Sequence, residues 1–288
     1  MPASGPPRLR RRQLAKVCVV TVARGRHTHL RHQLRLLSQS NPDSDHVVVA
    51  IDDREIPKVV AAHRGDREVD VLAVNGHELG LPLAYARNEG VQRALDRGAD
   101  LIVLLDVDCL VGSHTLSRYA DAALGAGPAL WCGPVTYLPE AMVPPAHSDG
   151  LEAVRDPHPA RPAPDPGQLQ AGGNHDLFWS LSAALTPQTW SILGGFCPDY
   201  VGYGGEDTDL AWTARSRGID LVWVGGADAY HQHHPISSPP IEHLDAIVRN
   251  AHVFHERWDQ WPMLGWLNAF AERGLVHFNG RELRRLSV

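Results

Sequence analysis

Short runs of β-branched and other apolar residues alternate with helix-patterned segments through the first 110 residues. Four of these runs predict buried strands: "KVCVVTVA" (16–23), "HVVVAIDD" (46–53), "EVDVLAV" (68–74) and "DLIVLLD" (100–106). Between them, apolar residues recur on one face in 27–40 and 81–98, as they do in amphipathic helices. Strands separated by helices predict βαβ units, and therefore an α/β fold with a mainly parallel sheet flanked by helices.

The second half of the chain continues with a weaker pattern. "LFWSLSAAL" (177–185) and "IDLVWVG" (219–225) predict two further strands, and a helix is expected near Gln188 to Leu193. "EDTDLAWTARSRG" (206–218) begins with acids and ends with arginines and a glycine, which matches the helix macrodipole at both ends. The Trp-rich residues 236–288 are predicted to be helical.

Residues 139–173 contain many prolines and no sustained period. They fit either a disordered linker between domains or a long active-site loop. We favour the loop, because long structureless segments within compact domains are often lids or binding loops. The predicted organisation is a flexible basic tail (1–15), a catalytic domain (16–235) and a helical C-terminal extension (236–288) packed on the same domain.

Composition and charge narrow the class of protein. The 288 residues are 43% apolar and 21% charged, as in soluble globular proteins, and the net charge of −6 argues against a nucleic-acid partner. The basic segment "PRLRRRQLAK" (7–16) predicts a solvated tail, with weak peripheral attraction to an anionic membrane as the alternative. Four scattered cysteines, no secretory segment and no apolar run near 20 residues predict a cytoplasmic protein with reduced thiols.

Polar groups follow three of the predicted strands, at 23–26, 52–53 and 106–108. Ligands of parallel α/β sheets bind beyond the carboxyl ends of the strands, so these groups are predicted to share one site. Asp106 and Asp108 are separated by one residue, and their repulsion is costly unless a cation lies between them. Their oxygens suit Mg²⁺ or Mn²⁺, although a D-x-D sequence alone also fits a simple turn at a strand end.

Two later segments add acids and imidazoles. In "GYGGEDTD" (202–209), the glycines would let the backbone approach a ligand, and Glu206 and Asp207 fall in the first turn of a helix. The helix dipole there favours an ionised carboxylate, which suits a general base; helix capping alone would explain one acid but not the glycines. In "AYHQHHP" (229–235), His231 and His234 fit either a first-row metal site or a His-rich surface turn.

Taken together, these segments resemble inverting glycosyltransferases of the GT-A fold, a Rossmann-like fold, including family 2 and most closely the β-1,4-galactosyltransferase group. "VARGRHTHL" is similar to that group's P-F-R-N-R-x-x-H-L segment, and "LLDVDCL" to its F-x-D-V-D-L segment. "LSAALTPQTWSILGGFCPDYVGYGGEDTDLAWTARSRG" follows its long segment ending in W-G-W-G-G-E-D-D-D, and "HQHH" falls on its Met-x-x-His metal pair. The resemblance covers roughly residues 16 to 235.

The resemblance implies a metal-dependent transfer of a sugar, with inversion, from a nucleoside diphosphate donor (a UDP-sugar is favoured) to an acceptor hydroxyl. The acceptor would be a carbohydrate, a lipid-linked molecule or another small molecule. Asp207 would be the catalytic base, and Glu206 would orient the sugar. Asp108 would be the main ligand of Mn²⁺ (or Mg²⁺), completed by His234 and by His231 in the position of the Met. The implied nucleotide-sugar contacts are Ala23, Arg24, Arg26, Asp53, Arg87 (in "YARNEG"), Asp106, Gly204 and Gly205.

Departures from the group's pattern leave the substrates open. Val201 and Tyr203 replace two Trp that shape the sugar and acceptor sites, and Thr208 replaces an acid that contacts the acceptor. Two other readings remain. A nucleotidyltransferase could use the same acid pair, but "ARGR" is a poor phosphate loop. A non-catalytic sugar-binding protein would have no need for acids at 106, 108 and 207.

Overall fold

The computed structural model describes residues 15–41 and 43–286. Its strands are β1 (Val17–Ala23), β2 (Asp45–Ile51), β3 (Val69–Val74), β4 (Leu101–Leu105), β5 (Cys109–Val111), β6 (Ala129–Cys132), β7 (Val135–Tyr137), β8 (Leu169–Ala171), β9 (Ser182–Leu185), β10 (Asp220–Val224), β11 (Ala229–His231), β12 (Val276–Phe278) and β13 (Leu283–Arg285). Its helices are α1 (His27–Ser40), α2 (Ile56–His63), α3 (Leu83–Asp96), α4 (Thr115–Ala123), α5 (Asp149–Glu152), α6 (Pro187–Leu193), α7 (Glu206–Ser216), α8 (Leu244–Trp258) and α9 (Leu264–Glu272).

The central sheet has eight strands in the order β3-β2-β1-β4-β9-β6-β10-β8. Strands β3, β2, β1 and β4 are parallel, β9 runs antiparallel between β4 and β6, and β10 is parallel to β6. A smaller sheet, β5-β11-β7, lies beyond the carboxyl end of β4. The α/β fold with a mainly parallel sheet and flanking helices, predicted from the sequence, is confirmed.

The strands in the middle of the sheet are covered by helices, which is why they are apolar throughout. All of β4 is at most 1% exposed. Helix α3 lies very close to β1 and β2 at Gly90, where a Cβ atom would come within 2.5 Å of Val20 and 2.8 Å of Val49. Arg87 is one turn earlier on the same helix, so this close packing fixes its position at the carboxyl edge of the sheet.

The predicted strand at 177–185 is shorter in the structure and begins only at Ser182. A 3-10 turn covers His175–Leu177, and the N–H of Ser180 donates to the Asp207 carboxylate at 2.8 Å instead of to a neighbouring strand. The apolar pattern therefore predicted burial correctly, since Phe178 is fully buried. The strand pairing that it predicted for residues 177–181 was wrong.

The proline-rich segment 139–173 is more ordered than its sequence predicts. It contains α5 and the edge strand β8, which pairs antiparallel to β10. Pro157 also forms an isolated β-bridge with Thr136 in β7, the edge strand of the small sheet. These elements are three or four residues long, too short to show a period in the sequence.

The C-terminal extension contains the predicted helices, α8 and α9, together with a two-stranded sheet, β12–β13, that the sequence analysis missed. Asp209 ties this part to α7. Its Oδ1 accepts hydrogen bonds from Arg257 Nε and Trp258 Nε1, both at 2.7 Å, and from the Tyr200 hydroxyl at 3.2 Å. The third acid of "GGEDTD" therefore has a structural role.

Residues 1–14, with the predicted basic tail and its membrane contact, lie outside the described residues. Lys16, which we grouped with that tail, belongs to the fold, because its Nζ donates to the Arg97 carbonyl at 2.8 Å and lies 3.1 Å from Asp45. Within the described part of the chain, no helix combines the length and apolarity that spanning a membrane requires. The four cysteines are free thiols, three of them buried and Cys197 partly exposed.

Candidate active site

Arg87 joins the two acidic segments at the carboxyl edge of the sheet. Its Nη2 lies 3.1 Å from Asp106 Oδ1, and its Nη1 lies 3.2 Å from Glu206 Oε1 and 4.0 Å from Asp207 Oδ1. The arginine is 6% exposed and Glu206 is 7% exposed, so these charges interact with little screening by water. In the structure Arg87 is the cation that holds three carboxylates together, and its predicted contact with the nucleotide sugar stays a prediction.

This arrangement shifts the ionisation of its members. Burial, followed by the charge of Asp207, raises the pKa of Glu206 to about 7, although Arg87 opposes the shift. Burial alone would lower the pKa of Arg87, but the surrounding carboxylates outweigh it and raise that pKa above its ordinary value. Arg87 is therefore charged at any physiological pH, and Glu206 titrates near neutrality.

The two carboxylate oxygens of Asp207 have different surroundings. Oδ2 accepts the N–H of Ser180 at 2.8 Å, which fixes the side chain. Oδ1 is buried and has no hydrogen-bond partner among the described residues. Buried carboxylate oxygens are normally hydrogen-bonded, whereas the cation beside this one, Arg87 Nη1, is 4.0 Å away. A carboxylate fixed through one oxygen and without a hydrogen bond at the other is suited to accepting a proton.

The glycines before these acids are required by the turn itself. Gly204 and Gly205 have φ angles of 91° and 99°, which favour glycine. A Cβ atom would come 2.9 Å from Met263 Sδ at Gly204 and 2.9 Å from the Tyr200 ring at Gly205. We expected these glycines to let a ligand approach the backbone. The close approach seen in the structure is to protein side chains, and ligand contact by Gly204 and Gly205 stays a prediction.

A second cluster consists of Asp108, His231 and His234, whose potential ligand atoms all lie within 4.8 Å of one another. The small sheet brings them together, because His231 pairs with Cys109 across β11 and β5, and the N–H of Gln232 donates to the Asp108 carbonyl at 2.7 Å. The Nε2 atoms of both histidines lie 3.5 Å from the Asp108 carboxylate, one at each oxygen. The structure thus assembles the three residues that the sequence analysis predicted as metal ligands.

These residues fit a divalent first-row cation. The donor set of one carboxylate and two imidazoles suits Mn²⁺, and neighbouring ligands of such an ion are about 3–3.5 Å apart. Partial burial, and to a lesser extent the charge of Arg26, lowers the pKa of His234, which favours the neutral ring that a metal requires. Asp108 is only 9% exposed, and it has Arg26 as a cationic neighbour, at 3.6 Å.

The predicted nucleotide segment lies beside this cluster. Arg26 adopts a left-handed conformation with φ of 52°, and its Nη1 is buried without a hydrogen-bond partner in the described chain. Asp53 accepts hydrogen bonds from the Gly25 N–H at 2.7 Å and from His27 Nε2 at 2.9 Å; although burial opposes it, these bonds lower the pKa of Asp53. Arg24 is exposed, whereas Ala23 is 2% exposed and packs in the core.

An aromatic wall near the histidines was not foreseen. Tyr137 stacks on His231 with ring centres 4.6 Å apart and also contacts His158. The His158 ring is nearly perpendicular to the Trp179 ring, and their centres are 5.2 Å apart. Arg161 lies 4.8 Å from the centre of the Trp179 ring. Three of these residues come from the segment 139–173 or the turn after it, and nothing local in the sequence marks them.

No protein-family model matches the chain. It is 28% identical over 242 residues to the validoxylamine A glucosyltransferase of Streptomyces hygroscopicus subsp. limoneus, an alignment that covers 74% of this chain and 52% of that protein. The enzyme of the same name from S. hygroscopicus subsp. jinggangensis (strain 5008) is also 28% identical, with 74% and 56% covered. The chain spans about half the length of these curated relatives.

Solved structures share this fold. S. aureus TarS 1–349 in complex with UDP-GlcNAc superposes with a TM-score of 0.55 at 11% identity, over 82% of this chain and 66% of that chain. GalNAc-T7 with UDP, GalNAc and Mn²⁺ superposes with a TM-score of 0.53 at 14% identity, over 91% of this chain and 57% of that protein. The chain therefore has the GT-A fold of these enzymes and is similar in sequence to a glucosyltransferase.

Proposed function

We propose that the protein is a metal-dependent, inverting glycosyltransferase that moves a sugar from a nucleoside diphosphate donor, preferably a UDP-sugar, to an acceptor hydroxyl. The observation that carries the proposal is the buried, unpartnered Oδ1 of Asp207 beside the carboxylates held by Arg87. The sequence similarity to a glucosyltransferase and the fold shared with UDP-binding TarS support it. On this proposal, 16–235 is the catalytic domain, and 139–173 orders over the bound substrates.

In the proposed complex, the nucleotide lies over the ends of β1 and β2. Arg24 and Arg26 face the diphosphate, and Asp53 lies near the base and ribose. A cavity of about 420 Å³ beside Arg26 and His234 offers room there. Asp108, His231 and His234 would hold Mn²⁺ (or Mg²⁺), which when bound supplies positive charge against the departing diphosphate. Sequence similarity favours glucose as the first donor sugar to test, and a small molecule as acceptor.

The proposed reaction is a single displacement. The acceptor oxygen forms a bond to the anomeric carbon while the bond from that carbon to the phosphate oxygen breaks, and its electron pair leaves with the diphosphate. Asp207 Oδ1 takes the acceptor's hydroxyl proton, while the Ser180 N–H holds Oδ2 in place. Glu206, fixed by Arg87, orients the sugar. One displacement inverts the anomeric configuration.

The test compares Asp207→Asn with the wild type. Asn keeps the shape but lacks the basic oxygen, so nucleotide-sugar binding should persist while turnover falls by about 10²–10⁴-fold. The matched control is Asp121→Asn, an exposed acid on α4, which should behave as the wild type. Near-normal turnover in Asp207→Asn would remove Asp207 from the mechanism, and a product with retained configuration would overturn the inverting displacement. Binding of UDP-sugars without any release of UDP would instead indicate a non-catalytic sugar-binding protein.

A further inference from the structure

A cavity of about 450 Å³ is lined by residues outside the nucleotide segment. Its volume falls in the range of small-molecule sites. The apolar part of its lining comes from the loop before α3, the start of α8 and the β12 region: Leu79, Leu81, Leu83, Ile241, Leu244 and Leu275. The proposed donor contacts at the ends of β1, β2 and β4 do not line this cavity.

Two chain segments join the cavity to the acids. Leu83 lines the cavity at the first residue of α3, and Arg87 follows one turn later on the same face, about 6 Å along the helix. Tyr203 also lines the cavity and is four residues before Asp207. The segments that carry Arg87 and Asp207 therefore also contribute to the wall of the cavity, which places the cavity near the proposed base.

The two segments are also bonded to each other. The N–H of Gly202 donates to the Leu81 carbonyl at 2.8 Å, and Arg249 donates to the carbonyls of Leu79 and Val201. A Cβ atom on Gly80 would come 3.0 Å from the Gly202 Cα. The cavity wall is thus built together with the turn that carries Glu206 and Asp207, so a ligand held by this wall has a defined position relative to Asp207.

The charged side chains around the cavity are already engaged with the protein. Arg285 Nε lies 3.0 Å from Asp245 Oδ1, and Glu242 accepts the Ser237 N–H at 3.2 Å. The cavity surface that a ligand can contact is therefore mainly hydrocarbon. Two of its apolar side chains are open to solvent, since Leu79 is 49% exposed and Ile241 is 40% exposed. Such a surface favours an apolar ligand over a phosphate or a cationic amine.

We propose that the acceptor carries an apolar group, of the aryl or alkyl class, and that this group binds in the cavity while the acceptor hydroxyl reaches Asp207. This inference rests on the proposed transferase function and adds the chemical class of the acceptor. Tyr203 separates the two parts of the site. Its ring is stacked between His243 at 4.5 Å and Trp266 at 5.8 Å, so it presents its edge and hydroxyl to a ligand rather than a free face for stacking a sugar.

The test measures binding of methyl, phenyl and octyl β-glucosides to the full chain without donor, below the micelle concentration, through the tryptophan fluorescence that Trp266 contributes beside Tyr203. Octyl glucoside should bind at least about tenfold more tightly than methyl glucoside, because each buried methylene strengthens binding about threefold to fourfold. Leu79→Asp and Ile241→Asp should each reduce this preference to less than about threefold. Leu264→Asp is the matched control, since Leu264 is 53% exposed on α9 and is not part of the cavity lining.

Equal binding of methyl and octyl glucosides to the wild type would overturn the inference, as would a preference that persists in both cavity variants. Release of UDP from UDP-glucose with Mn²⁺, measured on the same samples, separates this failure from that of the proposed function. UDP release without an alkyl preference refutes the apolar acceptor and leaves the transferase. A third outcome is that the alkyl preference is lost in the cavity variants and no UDP-sugar releases UDP. This outcome supports the cavity as a ligand site and refutes the transferase.

Discussion

The two acids of "DVD" relieve their repulsion in different ways. Asp106 turns toward Arg87, and with Glu206 and Asp207 it forms a cluster whose cation is a buried side chain. Asp108 turns toward His231 and His234 and has Arg26 as a cationic neighbour, at 3.6 Å. The first cluster places one buried arginine among three carboxylates, whereas the second offers a carboxylate and two imidazoles that fit a cation from solution.

This difference explains why a buried strand can end in two like charges. The acids are adjacent in sequence, and each lies beside its own cation, Asp106 beside the buried Arg87 and Asp108 beside Arg26. It also separates two requirements of the proposed reaction. On this proposal, the orientation of the base and of the sugar is built into the folded chain, while the charge that faces the diphosphate would come from Arg24, Arg26 and a bound ion.

Loss of Arg87 should have the largest effect. Arg87→Met keeps much of the side-chain volume but leaves buried carboxylates without their cation, and breaking a buried ion pair in this way costs about 3–5 kcal/mol. We expect this loss of unfolding free energy in urea at pH 8, together with loss of transferase activity. The loss should shrink as the pH falls, because protonated carboxyls no longer need the cation.

A matched control for Arg87 lies on the same helix. Arg93 has a side chain that is 45% exposed and lies 3.6 Å from Asp70, so Arg93→Met should cost less than about 1 kcal/mol. Equal stability of Arg87→Met and the wild type at pH 8 would show that the first cluster does not depend on its internal cation.

Changes at the second cluster should affect ligand binding rather than stability. Asp108→Asn should abolish the strengthening of UDP binding by Mn²⁺, measured by calorimetry, while the melting temperature without ligand changes little, because the residue follows a strand end. His234→Ala should weaken Mn²⁺ by about tenfold or more, since a first-row ion would lose an imidazole ligand. If Mn²⁺-dependent binding is undiminished in both variants, the "HQHH" segment is a surface turn and not a metal site.

Glu206 should make the stability of the protein decrease as the pH rises through neutrality. Its pKa is about 7 in the folded protein and near its ordinary 4.5 in the unfolded chain, so between these values the folded state binds the extra proton. Its contribution to stability is therefore fully present below pH 4.5 and is lost as the pH rises through 7. Glu206→Gln cannot titrate, and the stability of the wild type relative to this variant should decrease from pH 5 to pH 8. Glu256→Gln, at an exposed position on α8, should show no such difference.

The sequence predicts the parts of this molecule that depend on long periodic segments. The four parallel strands and the helices α1, α3 and α7 follow from runs of seven or more residues with a clear pattern. Strands of three or four residues, such as β5, β8 and β11, carry too few positions for a period, and their pairing depends on where distant segments meet. The edge strand within 139–173 was missed for this reason.

The candidate site was predictable to the extent that topology fixes it. Acids at strand ends and at a helix start must converge, and the structure brings Asp106, Asp108 and Asp207 to the same edge. The role of Arg87 was not predictable, because it depends on the close contact of Gly90 with the sheet. The cavity beside Tyr203 also required the fold, since its walls come from segments separated by more than a hundred residues.

The smallest effect is expected at His231, where the galactosyltransferase segment that the chain resembles has a methionine. His231 has two roles in the structure: its Nε2 lies 3.5 Å from Asp108, and its ring stacks on Tyr137 at 4.6 Å. His231→Phe should keep the stacking and remove the ligand atom, so the affinity for Mn²⁺ should fall by about tenfold while the melting temperature stays the same. His231→Met supplies a thioether, a soft and weaker ligand for Mn²⁺, and should lose only about threefold. Calorimetric titration with Mn²⁺ in the presence of UDP measures both. If His231→Phe binds Mn²⁺ as the wild type does, His231 only supports the aromatic wall, and the second cluster reduces to Asp108 and His234.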